Sequence, residues 1–322
     1  MPSERLNIST FSKRIDLSVA TVSRALNPQT AHLVKPATRE RVRQLADELG
    51  FTPHAGARVL KRSAPGPITV LLPMDLGLFL SEYFARILTG ILQEANRCSR
   101  TLHTQIYQPG PRPLIKEITD LTWGANGLIF LAKQLTAREV ADLSRLRMPV
   151  AVSRGSLPID LPPDIEPPAV FGFDSEKGAR LATRHLLALG HRRFAFCNGP
   201  ASLRDAQERA RGFHDSLHAA GLATPDHLCL HDEFTYDAGR RCADRLYPFR
   251  EQFTAVVCGN DEIALGLMDE FAQRGLSCPR DLSVVGHDNS HLSERHTPGL
   301  TTVRMPWIEM GKAAVELVEE LR

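Results

Sequence analysis

Residues 8–27 read ISTFSKRIDLSVATVSRALN, and this stretch decides what kind of module opens the chain. Phe11 and Ile15 lie four apart, so on a helix they share a face. Val22, Ala25 and Leu26 share a face on a second helical run. Ser18 stands where an N-cap belongs, just before that run. Asp16 falls in the turn between the two, where a left-handed backbone is often needed; Asp tolerates it less well than Gly. Two short helices around a tight turn are the geometry of a helix-turn-helix.

The pattern continues outward. PATRERVRQLADELGF at 36–51 predicts a third helix, with Pro36 at its first position and Gly50 at its end. Its apolar stripe is Val42, Leu45, Ala46 and Leu49. Lys35 occupies the cap position and has no side-chain oxygen to offer. PHAGARVLKR at 53–62 is a short basic helical candidate, with the helix placed at 54–61. SAPGP at 63–67 breaks the chain as a linker.

Charge divides the chain at the same place. Residues 1–62 carry 11 Lys and Arg against 5 Asp and Glu, a net of +6, while the remainder is net −4. A small basic module joined to a mildly acidic body fits one phosphate-binding domain and one domain with another task. The six cysteines form no C-x-x-C pair and read as reduced, mostly buried thiols of a cytoplasmic protein. The first ten residues hold no apolar run, and no stretch approaches the roughly 18 apolar residues of a membrane span.

From Ile68 onward the periodicity changes to strand, helix, strand. Strands are expected at 68–72, 102–107, 127–131, 150–153, 170–173, 193–197, 255–258 and 282–285, with helices such as 83–98, 176–189 and 205–220 between them. This alternation predicts parallel sheets covered by helices. Five prolines within 155–168 mark a surface loop near a lobe boundary.

The segment SVATVSRALN at 18–27 resembles the recognition helix of the LacI/GalR family of regulators. The resemblance runs on through VKPATRERV, ELGFTPHAGARVL, GARLATRHLLALGHRRFAFCNGP, QERARGF, GNDEIALG and LSVVGHDNS, in order and at matching separations. It implies a helical helix-turn-helix headpiece, 1–62, followed by a two-lobed α/β core of the periplasmic-binding-protein type, 68–322. The N-lobe is expected at about 68–154 plus 290–322 and the C-lobe at about 169–289.

The resemblance places Val19, Ala20 and Arg24 against base edges in the major groove. Arg24 can donate a bidentate pair to guanine, worth about 1–3 kcal/mol of discrimination. Val19 and Ala20 can only pack, on thymine methyls or as plain helix surface. Thr21, Ser23 and Asn27 are candidate phosphate contacts, and Ser18 belongs to the same DNA-binding set. Ala57, Arg58 and Leu60 match a hinge helix whose leucine wedges into the minor groove of an operator bound by a homodimer. His54 and Gly56 depart from the hinge pattern, and Gly56 costs about 1 kcal/mol relative to Ala in a helix.

In the body the resemblance selects Tyr83, Phe84, Asp205, Arg209, Phe234, Asn260 and Asp288 as lining an interlobe cleft for a small effector. Aromatic faces suit a ring, and the polar groups suit hydroxyls, so a sugar or sugar derivative is expected first and a purine second. Tyr83, Phe84 and Phe234 look like the purine-binding branch, but Leu203 stands where that branch has an arginine. Structural alternatives stay open: core aromatics, helix caps at Asp205 and Asn260, and an Arg209–Asp288 ion pair. Family members continue past their last helix into a further strand; here the sequence stops at Arg322 in the helical pattern GKAAVELVEELR. There is no nucleophile elbow, P-loop or zincin motif and no metal spacing among the histidines, so neither catalysis, a metal nor a cofactor is expected. The alternatives to an allosteric repressor are a sugar-binding protein without a DNA role and an α/β sugar-metabolising enzyme.

Overall fold

The computed structural model describes residues 7–26, 30–51, 66–73, 82–108, 112–131 and 134–322. Tertiary contacts divide the chain into two compact units that meet between Gly66 and Pro67.

The first unit is helical: α1 (Ile8–Arg14), α2 (Val19–Leu26) and α3 (Pro36–Glu48). Asn7 and Thr10 form a reciprocal capping box that starts α1. Ser18 Oγ accepts from the Thr21 amide at 3.0 Å and so caps α2. Asp16 adopts φ 54° in the turn between them, the left-handed conformation expected there. Lys35 supplies no side-chain cap to α3, and Pro36 takes the first helical position. At its far end Gly50, at φ 61°, lets the Phe51 amide turn back to the Ala46 carbonyl at 2.8 Å. That turn drops Phe51 onto Phe11, ring centroids 4.2 Å apart. Phe11, Ile15, Val22, Ala25, Val42, Ala46 and Phe51 form the core of the unit.

The second unit holds two five-stranded sheets whose paired strands are all parallel. The first has order β2-β1-β3-β4-β5, from β1 (Ile68–Pro73), β2 (Leu102–Tyr107), β3 (Gly127–Phe130), β4 (Val150–Ser153) and β5 (Ala169–Phe171). Its helices are α4 (Glu82–Arg97), α5 (Leu114–Leu121) and α6 (Ala137–Ser144). The second has order β10-β9-β8-β6-β7, from β6 (Phe194–Asn198), β7 (Cys229–His231), β8 (Ala255–Cys258), β9 (Ser283–Asp288) and β10 (Thr301–Arg304). Its helices are α7 (Ser175–Ala188), α8 (Arg204–Ala219), α9 (Tyr236–Leu246), α10 (Asp261–Gln273) and the short α11 (His291–Arg295). The last helix, α12 (Trp307–Glu320), returns to the first lobe and packs on α4.

Central strands such as GLIF and VAVS are buried at every position, which is why they read as continuous apolar runs. The α4–α12 contact depends on Gly90 and Gly311. A Cβ on Gly90 would lie 2.0 Å from the Ile308 carbonyl oxygen, and one on Gly311 would lie 2.1 Å from that of Ile87. Only bare backbones can approach so closely.

The lobe boundaries differ from the expected ones. Residues 169–171 belong to the N-lobe, because Ala169, Val170 and Phe171 pair in register with Ala151, Val152 and Ser153. Residues 301–304 belong to the C-lobe, because they pair with Val285–Asp288. The proline-rich 155–168 stretch therefore joins two strands of one sheet. The chain crosses between lobes just after β5 and just after β10. β7 and β10 were not among the expected strands; both are short edge strands with half-exposed residues.

Candidate functional site

Two surfaces gather the sequence-selected residues. On α2, Val22 and Ala25 face the core, which turns Val19, Ala20 and Arg24 outward; all three are exposed, and Thr21 and Ser23 are half-buried. Ser18 spends its hydroxyl on the helix: besides the Thr21 amide it contacts Thr21 Oγ1 at 2.8 Å. Among the described residues of this unit, no carboxylate pairs with Lys13, Arg14, Arg24, Arg41 or Arg43. With respect to the described residues, these exposed cations are free for an external anion. Asn27, the hinge 54–61 with Ala57, Arg58 and Leu60, and its departures His54 and Gly56 lie outside the described residues.

In the body a cavity of about 1050 Å³ opens between the lobes, at the carboxyl ends of both sheets. All seven expected cleft residues line it. Tyr83 and Phe84 enter on the first turn of α4, edge-to-face at 4.6 Å. Trp307 backs them, edge-on to Tyr83 at 4.8 Å and to Phe173 at 4.7 Å. Burial pushes the Tyr83 hydroxyl far above the usual phenol range, and the nearby Asp205 carboxylate adds to this.

The opposite wall belongs to the C-lobe. Arg209 on α8 is buried; its guanidinium lies 5.1 Å over the Phe234 ring and donates from Nη1 to the Gly259 carbonyl at 2.7 Å, while Nε has no partner. Asn260 caps α10, accepting from the Ile263 amide at 2.9 Å and donating to the Phe234 carbonyl at 3.2 Å. It lines the cleft, but the structural alternative is its first role. Asp205 is not a cap: α8 begins at Arg204 after Leu203, and Asp205 accepts from the Ser175 hydroxyl at 3.1 Å.

Asp288 ends β9 at φ 142° and Asn289 follows at φ 57°. Such backbone costs about 1–3 kcal/mol per residue and persists where neighbours hold it. The neighbours here are Asp261, which accepts from the Ser290 amide at 2.8 Å, and Thr302, which accepts from the Asn289 amide at 3.2 Å. Burial pushes the Asp288 carboxyl well above the usual carboxylate range; Arg209 pulls the other way but does not prevail. No hydrogen-bonded ion pair joins Arg209 to Asp288.

The lobes also touch directly. Arg154 from the N-lobe pairs with buried Glu208 on α8 at 3.0 Å, and Arg204 donates to the Pro158 carbonyl at 2.7 Å. On the other side Arg86 donates to the Asn289 carbonyl at 3.1 Å, and the His291 amide donates to Glu82 at 3.0 Å. Sequence reasoning missed Trp307 and Ser153. Ser153 was findable, since it ends a strand at the carboxyl edge where ligands bind. Among the described residues no cluster of His, Cys, Asp or Glu is arranged to hold a metal.

A helix-turn-helix unit with a free cationic surface, joined to a two-lobed body with a polar–aromatic cleft, defines a DNA-binding regulator with a ligand-sensing domain. The sequence matches the model of bacterial regulatory proteins of the lacI family over residues 13–54, and that of the periplasmic binding protein-like domain over 183–321. It is 30% identical to the HTH-type transcriptional repressor PurR of Vibrio vulnificus, over 97% of this chain and 91% of that protein. It is 28% identical to catabolite control protein A of Priestia megaterium, over 97% and 92%. The fold matches the lac repressor dimer bound to operator and an anti-inducer, with a TM-score of 0.85, 24% identity and coverage of 99% and 93%. It also matches the transcriptional regulator CelR in complex with cellobiose, with a TM-score of 0.71, 25% identity and coverage of 98% and 93%. The chain belongs to the lacI family of bacterial regulatory proteins. It is a transcriptional repressor of that family, not an enzyme. Among the described residues no helix is long and apolar enough to cross a membrane.

Proposed function

We propose that the chain binds a near-palindromic operator as a homodimer and that a sugar-class effector closing in the interlobe cleft sets its DNA affinity. Arg24 reads a guanine, Val19 and Ala20 pack on base edges, Thr21, Ser23 and Asn27 contact phosphates, and Ser18 serves the interface by capping the helix that presents them. Ala57, Arg58 and Leu60 enter the minor groove, with Leu60 as the wedge.

The observation that carries the effector reading is the mixed aromatic and polar lining of the cavity. Tyr83, Phe84 and Trp307 offer ring faces and edges from one lobe, and Asp205, Arg209 and Asp288 offer hydrogen-bonding groups from the other. A polyhydroxylated ring satisfies both walls at once, with hydroxyls donating to carboxyl oxygens and accepting from the guanidinium. Its differential affinity for the closed arrangement is what shifts the protein between states. A second reading, a purine, draws on the likeness to repressors named PurR; Leu203 on the cleft wall speaks against it.

A thermal-shift screen against sugars, sugar phosphates and purines separates the two. A sugar that raises the melting temperature and loses that effect in Arg209→Ala supports the first. Stabilisation by purines alone overturns it.

A further inference from the structure

His296 sits on the segment that leads from the cleft back into the C-lobe sheet, and both of its ring nitrogens meet acceptors. Nδ1 lies 2.8 Å from the Pro298 carbonyl oxygen, and Nε2 lies 2.9 Å from Oδ1 of Asp269 on α10. A carbonyl oxygen can only accept, and an ionised carboxylate can only accept. The other oxygen of Asp269 already accepts from the Tyr236 hydroxyl, at 2.6 Å. A neutral imidazole has one N–H and can satisfy one of its two neighbours; only the imidazolium satisfies both.

The surroundings agree. Burial disfavours charge on His296, but the Pro298 and Asp269 acceptors outweigh it and raise the ring above its ordinary value. Asp269 is likewise disfavoured by burial, yet the Tyr236 and His296 donors hold it below the usual carboxylate range. The charged group facing the ring is Asp269. Behind that carboxylate stands Tyr236 of α9, with Arg240 and Asp237 near its hydroxyl. The contact from the ring's own segment is the Pro298 carbonyl.

We infer that His296 is a proton-dependent clasp, holding the 289–300 segment most tightly on α10 while the imidazole carries both protons and satisfies Asp269 and the Pro298 carbonyl together. The consequence follows from what that segment holds. It begins beside Asp288 in the cleft, its Asn289 carbonyl takes the donor of Arg86, and its His291 amide donates to Glu82, both residues of the other lobe. Loss of one proton leaves a lone pair against one of the two acceptors and turns the charged pair with Asp269 into at most a single neutral-donor bond, so the hold on α10 weakens although the Ser290 amide still donates to Asp261, and with it the lobe contact that the segment makes. The clasp therefore adds a pH input to the state of the cleft, and it goes beyond any assignment of the effector.

The sign is fixed by linkage. A histidine whose folded pKa exceeds its free value of about 6.5 contributes stability fully below that value and loses it as pH rises through the folded pKa. The test is hydrogen exchange of full-length protein at about pH 6 and about pH 9, corrected for intrinsic exchange, together with the histidine titration by NMR. Protection at 289–300 should fall with rising pH by roughly tenfold per unit of pKa elevation. His296→Gln should remove both the fall and one high-titrating imidazole resonance. Asp269→Asn should lower that titration while leaving a folded protein, and serves if His296→Gln does not fold. Protection at 289–300 that is independent of pH in the unsubstituted protein, or a His296 that titrates at or below the free value, overturns the clasp.

Discussion

The two units of this chain use arginine in opposite ways. In the body, arginines are cross-links: Arg100 pairs with Glu319, Arg154 and Arg204 with Glu208, Arg180 with Glu176 and Asp215, and Arg240 and Arg274 with Glu270. In the headpiece the exposed cations of the described residues have no such partners. An arginine with a carboxylate beside it has its charge spent, and one without stays available to phosphate. The body's net of −4 and the headpiece's +6 are thus two designs rather than a gradient. The headpiece carries its candidate contact residues at or near the surface over a core of seven apolar residues, whereas the body holds its cleft residues half-buried or buried between two lobes.

That contrast can be broken or sharpened by substitution. The largest effect is expected for Phe11→Ala, which empties the centre of the small core at a cost of about 3–5 kcal/mol. Duplex binding should vanish in a gel-shift while ligand binding by the body stays intact; equal damage to both would mean that the units are not independent. Next is Arg209→Ala. It removes a buried, charge-assisted hydrogen bond and the contact over Phe234, so calorimetry should show effector affinity reduced by about 1.5–3 kcal/mol with duplex affinity in the absence of effector unchanged. Arg24→Ala should cost about 1–3 kcal/mol on the preferred operator and little on unrelated duplex, measured by competition.

Asp288→Asn probes burial instead of contact. A carboxyl whose folded pKa is raised costs stability at neutral pH, and the cost fades as pH falls towards the ordinary carboxylate value. The variant should melt higher than the parent at neutral pH, and the gap should close near pH 4, about where a free carboxyl protonates. The smallest effect is expected for Arg112→Ala. Its pair with Asp120 has both side chains more than half exposed, so stability should change by less than about 1 kcal/mol.

Much of this was legible in the sequence. The Ser18 cap of α2, the start of α3 at Pro36, the Asp16 turn and the alternation of strands and helices are local features, and local spacing encodes them. All seven expected cleft residues do line one cavity. What escaped was set by pairing at a distance. β7 and β10 are short and half-exposed, and only their neighbours in the sheet make them strands. The proline run at 155–168 looked like a boundary because prolines end elements; they do so equally between two strands of one sheet. The Arg154–Glu208 contact joins residues 54 apart, with no periodicity to announce it. Asn260 was a choice between ligand and cap that spacing could not decide, and both of its contacts proved to be structural.

We propose that headpiece cations without carboxylate partners among the described residues, with Arg24 as the base reader, make this chain a sequence-selective DNA binder. Its most direct test is binding of the full chain to a randomised duplex pool at two salt concentrations, beside Arg24→Ala. The parent should enrich a near-palindromic sequence, and its affinity should fall steeply as salt rises. The variant should keep the salt-dependent binding and lose the enrichment. No binding, or binding indifferent to salt, would contradict it.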